Sequence, residues 1–148
     1  MAVPEVSLRP ATSADTEFAC VTTRETMREY TVATWGEWKE EDARRRVADN
    51  IAAGATRIIE LNGVPIGIQT VTREPDCIRL LQLFIRPAYQ RCGIGSKLIR
   101  QLIDESRAEG LPLRLRVLRV NPAFALYQRL GFKVVQEAPE RYFMEHPG

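Results

Sequence analysis

The residues that could do chemistry cluster in one stretch of this 148-residue sequence: Leu81-Gln82-Leu83-Phe84-Ile85-Arg86-Pro87-Ala88-Tyr89-Gln90-Arg91-Cys92-Gly93-Ile94-Gly95-Ser96. An apolar run passes through a proline turn into a glycine-containing loop, and an amphipathic pattern follows. Backbone N–H groups at such a helix start have no intrahelical partners and lie at the positive end of the macrodipole. Without a Cβ at Gly93 and Gly95 this backbone can approach a phosphate closely, and Arg91 adds a positive charge beside it. The pattern points to an anion site, above all for a pyrophosphate. Gly95-Ser96-Lys97 lacks the spacing of a P-loop, and Leu98 stands where a dinucleotide fingerprint needs its third glycine. Taken alone, two glycines could equally make a tight strand-to-helix turn.

The context goes further. Gln90-x-x-Gly93-x-Gly95, three residues after Pro87 and ahead of an amphipathic helix, resembles the acetyl-CoA signature of the GNAT superfamily of N-acetyltransferases. A second element in register downstream, Asn121-Pro122-Ala123-Phe124-Ala125-Leu126-Tyr127-Gln128-Arg129-Leu130-Gly131-Phe132, is similar to the family's next helix, and the order of elements matches over nearly the whole chain. The resemblance implies acetyl-CoA as acetyl donor and no metal. It gives the main chain of Leu83, Phe84 and Ile85 to the pantetheine arm, a strand-addition mode of binding. It gives the loop of Gln90, Arg91, Cys92, Gly93, Ile94, Gly95 and Ser96 to the pyrophosphate. Cys92 occupies a variable position of the motif and reads as incidental. Asn121 corresponds to an asparagine that touches the cofactor, although Asn before Pro is also a good helix cap anywhere. Tyr127 takes the place of the general acid that protonates the departing thiolate. The implied chemistry is direct attack of an amine on the thioester carbonyl in a ternary complex, with a strand N–H, that of Ile85, stabilising the oxyanion.

The sequence departs from the family at the general base. Where many members place a glutamate, Gln82 and Arg116 stand, so no base is assigned; Glu25, Glu29, Glu40 and Glu41 are more distant acids. Acceptor-contacting residues are expected in the connection Thr31–Trp38, where Trp35 and Trp38 flank Gly36, and in the closing strand at Tyr142 and Met144. Aromatics beside acids suit a cationic amine, and equally suit a hairpin locked onto a sheet. The acceptor class is a small-molecule or peptide amine. The alternatives are a non-catalytic acyl-CoA-binding module and a transferase of a different acyl group.

These residues need elements to hold them. Val6–Arg9 reads as a strand. Ser13 then caps a helix running to about Tyr30, and a second helix spans Lys39–Ile51. Asn62-Gly63 joins two strands, Ala55–Leu61 and Val64–Arg73, as a two-residue hairpin. A β-rich run Asp76–Arg86 follows, then a helix that starts near Gly93 and ends before Gly110, and a strand Leu113–Leu118. Asn121-Pro122 opens a last helix, and strands Phe132–Gln136 and Arg141–Met144 close the chain. The expected fold is α/β (α+β), one domain over residues 1–148. Its single mixed, mostly antiparallel sheet of about seven strands is flanked by four helices and, as the resemblance implies, splayed between the fourth and fifth.

Composition agrees: 45% hydrophobic and 27% charged residues are ordinary for a globular chain. Three cysteines suit a reducing compartment rather than a disulfide framework. A single histidine, His146, argues against zinc and against histidine-based nucleophilic catalysis. No run approaches a membrane span, and no leader pattern precedes Val6, so a cytoplasmic protein is expected. Nine basic residues face twelve acidic ones through Glu74, and twelve face seven after it, which makes the second half the basic one. Arg44-Arg45-Arg46 reads as a solvated helix face, so neither nucleic acid nor membrane is an expected partner. A homodimer is compatible with the sequence.

Overall fold

Asn62 and Gly63 adopt left-handed φ values of 52° and 79°, as a two-residue turn between twisted strands requires. The computed structural model describes residues 2–148. In chain order its elements are β1 (Ser7–Pro10), α1 (Thr16–Trp35), α2 (Glu40–Ala52), β2 (Thr56–Leu61), β3 (Val64–Arg73), β4 (Ile78–Ile85), α3 (Ile94–Glu109), β5 (Leu113–Leu118), α4 (Ala123–Arg129), β6 (Lys133–Glu137) and β7 (Arg141–His146), with short 3₁₀ turns at Ser13–Asp15 and Pro87–Tyr89. The seven strands form one sheet in the order β1-β2-β3-β4-β5-β7-β6. Four helices accompany it, as expected. β4 pairs with β5 in parallel, over Ile78↔Leu113 and Arg79↔Arg114. The pairs β1–β2, β2–β3, β5–β7 and β6–β7 are antiparallel. Among the described residues no helix is long and apolar enough to cross a membrane.

By its internal contacts the chain divides into two compact units, one comprising the chain up to Val71 with Gln82–Gly95, the other Thr72–Leu81 with Ser96–Gly148. The first unit is built on Ala19 and Cys20 of α1, Val47 of α2, Ile58 of β2 and Ile68 of β3, with Phe18, Ile51 and Phe84 packed against them. The β2–β3 ladder has one irregularity. Glu60 faces Pro65 while Ile59 faces Gly67, so Ile66 is an extra residue on β3. Its carbonyl accepts the Arg86 N–H at 2.8 Å. In the second unit Leu98, Ile99, Leu102 and Ile103 bury one stripe of α3, and Leu113, Leu115 and Val117 are buried on β5. Those spacings are the helical and strand periods that the sequence shows.

Two boundaries differ from expectation. The first helix continues to Trp35 instead of ending near Tyr30: Thr34 Oγ1 donates back to the Tyr30 carbonyl at 2.8 Å, and the helix stops only where Gly36 takes a φ of 84°. Thr31–Trp35 are therefore helical, and the connection shortens to Gly36–Lys39. Nor does Ser13 cap this helix. Ser13 opens the 3₁₀ turn, and the Thr12 N–H donates to Asp15 Oδ2 at 2.8 Å.

Candidate functional site

In the first unit, the end of β4 leads directly into the glycine loop. Leu83, Phe84 and Ile85 are half-buried, and Gln90–Gly93 are exposed. Gln90 Nε2 donates to the Ile85 carbonyl at 2.8 Å, which ties the loop back onto the strand it leaves. Arg91 and Gly93 both lie in the left-handed region, at φ 63° and 84°. For arginine this conformation costs of order 1–3 kcal/mol and calls for a reason. Left-handed residues alternating with ordinary ones turn successive N–H groups toward one side, an anion-binding arrangement. It sits where α3 begins and the N–H groups of Ile94, Gly95 and Ser96 have no intrahelical acceptors. At Gly95 an added Cβ would meet only Ile85 Cδ1, at 3.7 Å; at Gly93 it would meet Val3 Cγ2 at 2.9 Å. The Cys92 thiol, the exposed one of three free cysteines, donates to the Gln90 carbonyl at 3.4 Å.

Upstream on β4, Gln82 Oε1 accepts the Thr70 hydroxyl at 2.8 Å, and Thr70 lies 3.0 Å from the Thr56 hydroxyl. Thr70 and Thr56 are not motif residues. Their alignment depends on the extra residue at Ile66, which no local pattern announces. Two of the four acids considered as distant bases, Glu25 and Glu40, are engaged. Glu25 accepts both Arg86 Nε and Nη2, at 3.1 and 3.3 Å. Glu40 accepts the Trp38 indole N–H at 2.8 Å together with Arg24 and Arg44, and these donors hold its carboxyl below the usual range. Trp35, on the last turn of α1, is 50% exposed, and Trp38 is half-buried.

In the second unit, Asn121 Oδ1 accepts the Ala123 N–H at 2.9 Å, so the asparagine caps α4 from two residues before its first turn. The Asn121 amide nitrogen has no partner among the described residues and can donate elsewhere. Tyr127 is half-buried beside Phe132, ring centroids 5.7 Å apart. Its hydroxyl has no hydrogen-bond partner among the described residues, and burial pushes the phenol up to about 12. Tyr142 is enclosed on two sides: Phe124 lies 4.5 Å away between centroids, and the Arg119 guanidinium sits 4.4 Å over its ring and also donates to its hydroxyl. Glu74, Asp76 and Cys77 bring ligand atoms within 4.8 Å of one another, but Arg79 and Arg114 occupy the two carboxylates.

Residues 22–132 match the model of the acetyltransferase (GNAT) family. The ribosomal protein bS18 alanine N-acetyltransferase of Haemophilus influenzae is 35% identical over 80 residues, 53% of this chain and 54% of that protein, so the chain spans about half the length of that curated relative. Among solved structures, the PaiA N-acetyltransferase of Thermoplasma acidophilum in complex with coenzyme A superposes with a TM-score of 0.78 at 22% identity, over 97% of this chain and 99% of that one. The ribosomal-protein-S18-alanine N-acetyltransferase of Escherichia coli superposes with 0.73 at 22% identity, over 97% and 94%. The two solved structures share the fold; the family match covers both motif elements, Gln90–Ser96 and Asn121–Phe132. The chain belongs to the acetyltransferase (GNAT) family.

Proposed function

We propose that this chain moves an acetyl group from acetyl-CoA to the α-amine of a peptide or amino acid. The observation that carries the cofactor half is the run from β4 into α3. Gln82–Ile85 lie beyond the two residues of β4 registered with β5, and they lead into an exposed loop with two left-handed residues ahead of a helix start. The main chain of Leu83, Phe84 and Ile85 pairs with an extended arm, as an added strand would. N–H groups from Gln90 to Ser96, with the Arg91 charge, hold the pyrophosphate. Acetyl-CoA supplies the activated thioester. Asn121 contributes its free amide N–H, and Tyr127 donates a hydrogen bond to the departing sulfur. With its phenol near 12 and a thiol near 8.5, Tyr127 keeps most of its proton, and its part is charge stabilisation more than complete transfer.

The α-amine is favoured by what stands in the place of a base. Gln82 cannot take a proton, and Glu25 and Glu40 are committed to arginines. An α-amine with a pKa near 7.7–8.0 is about one-third neutral at pH 7.5, whereas a lysine amine near 10.4 is neutral about once in a thousand. The first can attack without a carboxylate; the second needs one. The Haemophilus influenzae relative acts on an alanine of ribosomal protein bS18, a residue type whose one nitrogen is the α-nitrogen. Trp35 and Trp38 at the α1–α2 connection supply acceptor contacts through their rings, the Trp38 indole N–H being taken by Glu40, and Tyr142 on β7 offers its ring edge, Phe124 and Arg119 covering the rest. The three free cysteines fit a reducing cytoplasm.

Thermal unfolding with acetyl-CoA, free CoA and ADP tests the cofactor half. At about 100 times Kd a ligand stabilises by roughly 2.7 kcal/mol, which for this size is several degrees. CoA species should shift the transition more than ADP does. No shift with any of them overturns the reading.

A further inference from the structure

The first unit holds a row of polar side chains amid isoleucines. Thr56 is 3% exposed and Thr70 0%, on the face of β2 and β3 that also carries Ile58 and Ile68. Buried hydroxyls are retained without cost only when each finds a partner, and here each does. The single Thr70 proton goes to Gln82 Oε1 at 2.8 Å, so Thr56 is the donor in the other link, at 3.0 Å. The row ends on a half-buried amide in the half of β4 that runs into the cofactor loop. With Oε1 occupied, the Gln82 amide is held in one orientation. Its Nε2 presents two N–H donors with no partner among the described residues.

We infer that Gln82 is a specificity-determining residue whose Nε2 donates to the carbonyl oxygen next to the α-carbon of the acceptor, with Thr70 as its positioning residue. This rests on the acetyltransferase reading. An attacking amine needs its lone pair directed at the thioester carbon, and a donor aimed at that lone pair would oppose attack. The Gln82 donors therefore belong on another oxygen of the same acceptor. A peptide N-terminus or an amino-acid amide carries one beside its amine; a polyamine or a lysine side chain carries none in that place. The site thus selects α-amino carbonyl compounds through a hydrogen bond rather than through a negative charge. Removing a buried donor that reads a substrate oxygen costs discrimination of tenfold or more.

Two probes of similar size decide it: alaninamide, which has the carbonyl, and isopropylamine, in which a methyl replaces the carboxamide. The measured quantity is the ratio of their kcat/KM values, in which the different amine pKa values cancel between variants. The ratio should fall at least about tenfold in Gln82→Leu and several-fold in Thr70→Val, and Thr70→Ser should restore it. Stabilisation by acetyl-CoA should match that of the parent in all three variants, which shows that each has folded. A ratio unchanged in Gln82→Leu overturns the inference and leaves the acetyltransferase reading standing, as does a parent that acetyl-CoA stabilises but that does not acetylate alaninamide. A parent that acetyl-CoA does not stabilise removes both.

Discussion

The Thr70 hydroxyl reaches Gln82 across neighbouring strands at 2.8 Å and lies 3.0 Å from Thr56, which it faces because β3 carries one residue more than β2. Counted back from the Asn62-Gly63 turn, an even ladder would set Thr56 against Gln69. With Ile66 inserted, Thr56 faces Thr70 instead. A one-residue slip exchanges the two faces of a strand, so the bulge determines which polar side chain of β3 shares a face with Thr56.

The same irregular stretch fixes a glycine. A Cβ on Gly67 would run into the Phe84 carbonyl oxygen and lie 3.1 Å from Ile85 Cα. These are backbone atoms and cannot swing aside. Gly67→Ala should destabilise by about 2 kcal/mol or more, which lowers Tm by roughly 4–8 °C for a chain of this size. A melting curve matching the parent would show that β4 yields locally.

Gly95 and Gly93 should separate folding from binding. Gly95→Glu places its Cβ in ordinary contact with Ile85 and its carboxylate among the loop N–H groups. It should melt near the parent temperature and lose stabilisation by acetyl-CoA. Gly93→Ala, at φ 84° and 2.9 Å from Val3, should cost about 1 kcal/mol or more before any ligand is added. Differential scanning with and without CoA reads both effects.

Tyr127→Phe removes a hydroxyl that has no partner among the described residues, so stability should change little. If chemistry limits turnover, kcat should drop roughly 10²-fold while acetyl-CoA affinity holds. Because burial pushes the phenol up to about 12, the parent should show no loss of kcat from Tyr127 ionisation below pH 10. An alkaline limb near pH 9 that vanishes in the Phe variant would contradict this.

Arg9 donates to both carboxylate oxygens of Asp15 at 2.9 Å and lowers the Asp15 pKa from 3.8 to about 2. The folded form therefore binds this proton less readily than the unfolded chain does. The contribution is complete above about pH 5 and fades as pH falls from there toward 2. With Arg9 partly in water it amounts to about 1–2 kcal/mol. Asp15→Asn should lose that stability at pH 7 and show a flatter dependence between pH 5 and 2 in denaturant titrations.

What was legible in the sequence was whatever local chemistry dictates. The hairpin follows from Asn62-Gly63, and β5 from alternation between Leu113 and Leu118. The tight turn from β4 into α3 follows from glycine spacing after a proline turn, whereas its proposed cofactor role rests on the family resemblance. The end of α1 was less legible because Thr31, Val32 and Thr34 are weak helix formers, while the helix stops only at Gly36 in the left-handed region. The bulge at Ile66 and the closeness of Gly67 to Phe84 depend on a strand distant in sequence. The motif identifies Tyr127, but not the apolar surroundings that raise its phenol.

Cys92 stands exposed within the loop while Cys20 and Cys77 are buried. A thiol-directed label added to the native chain should therefore report from this one position. If the loop holds the pyrophosphate as proposed, its rate of modification becomes a footprint of cofactor occupancy that needs neither an engineered reporter nor a known acceptor.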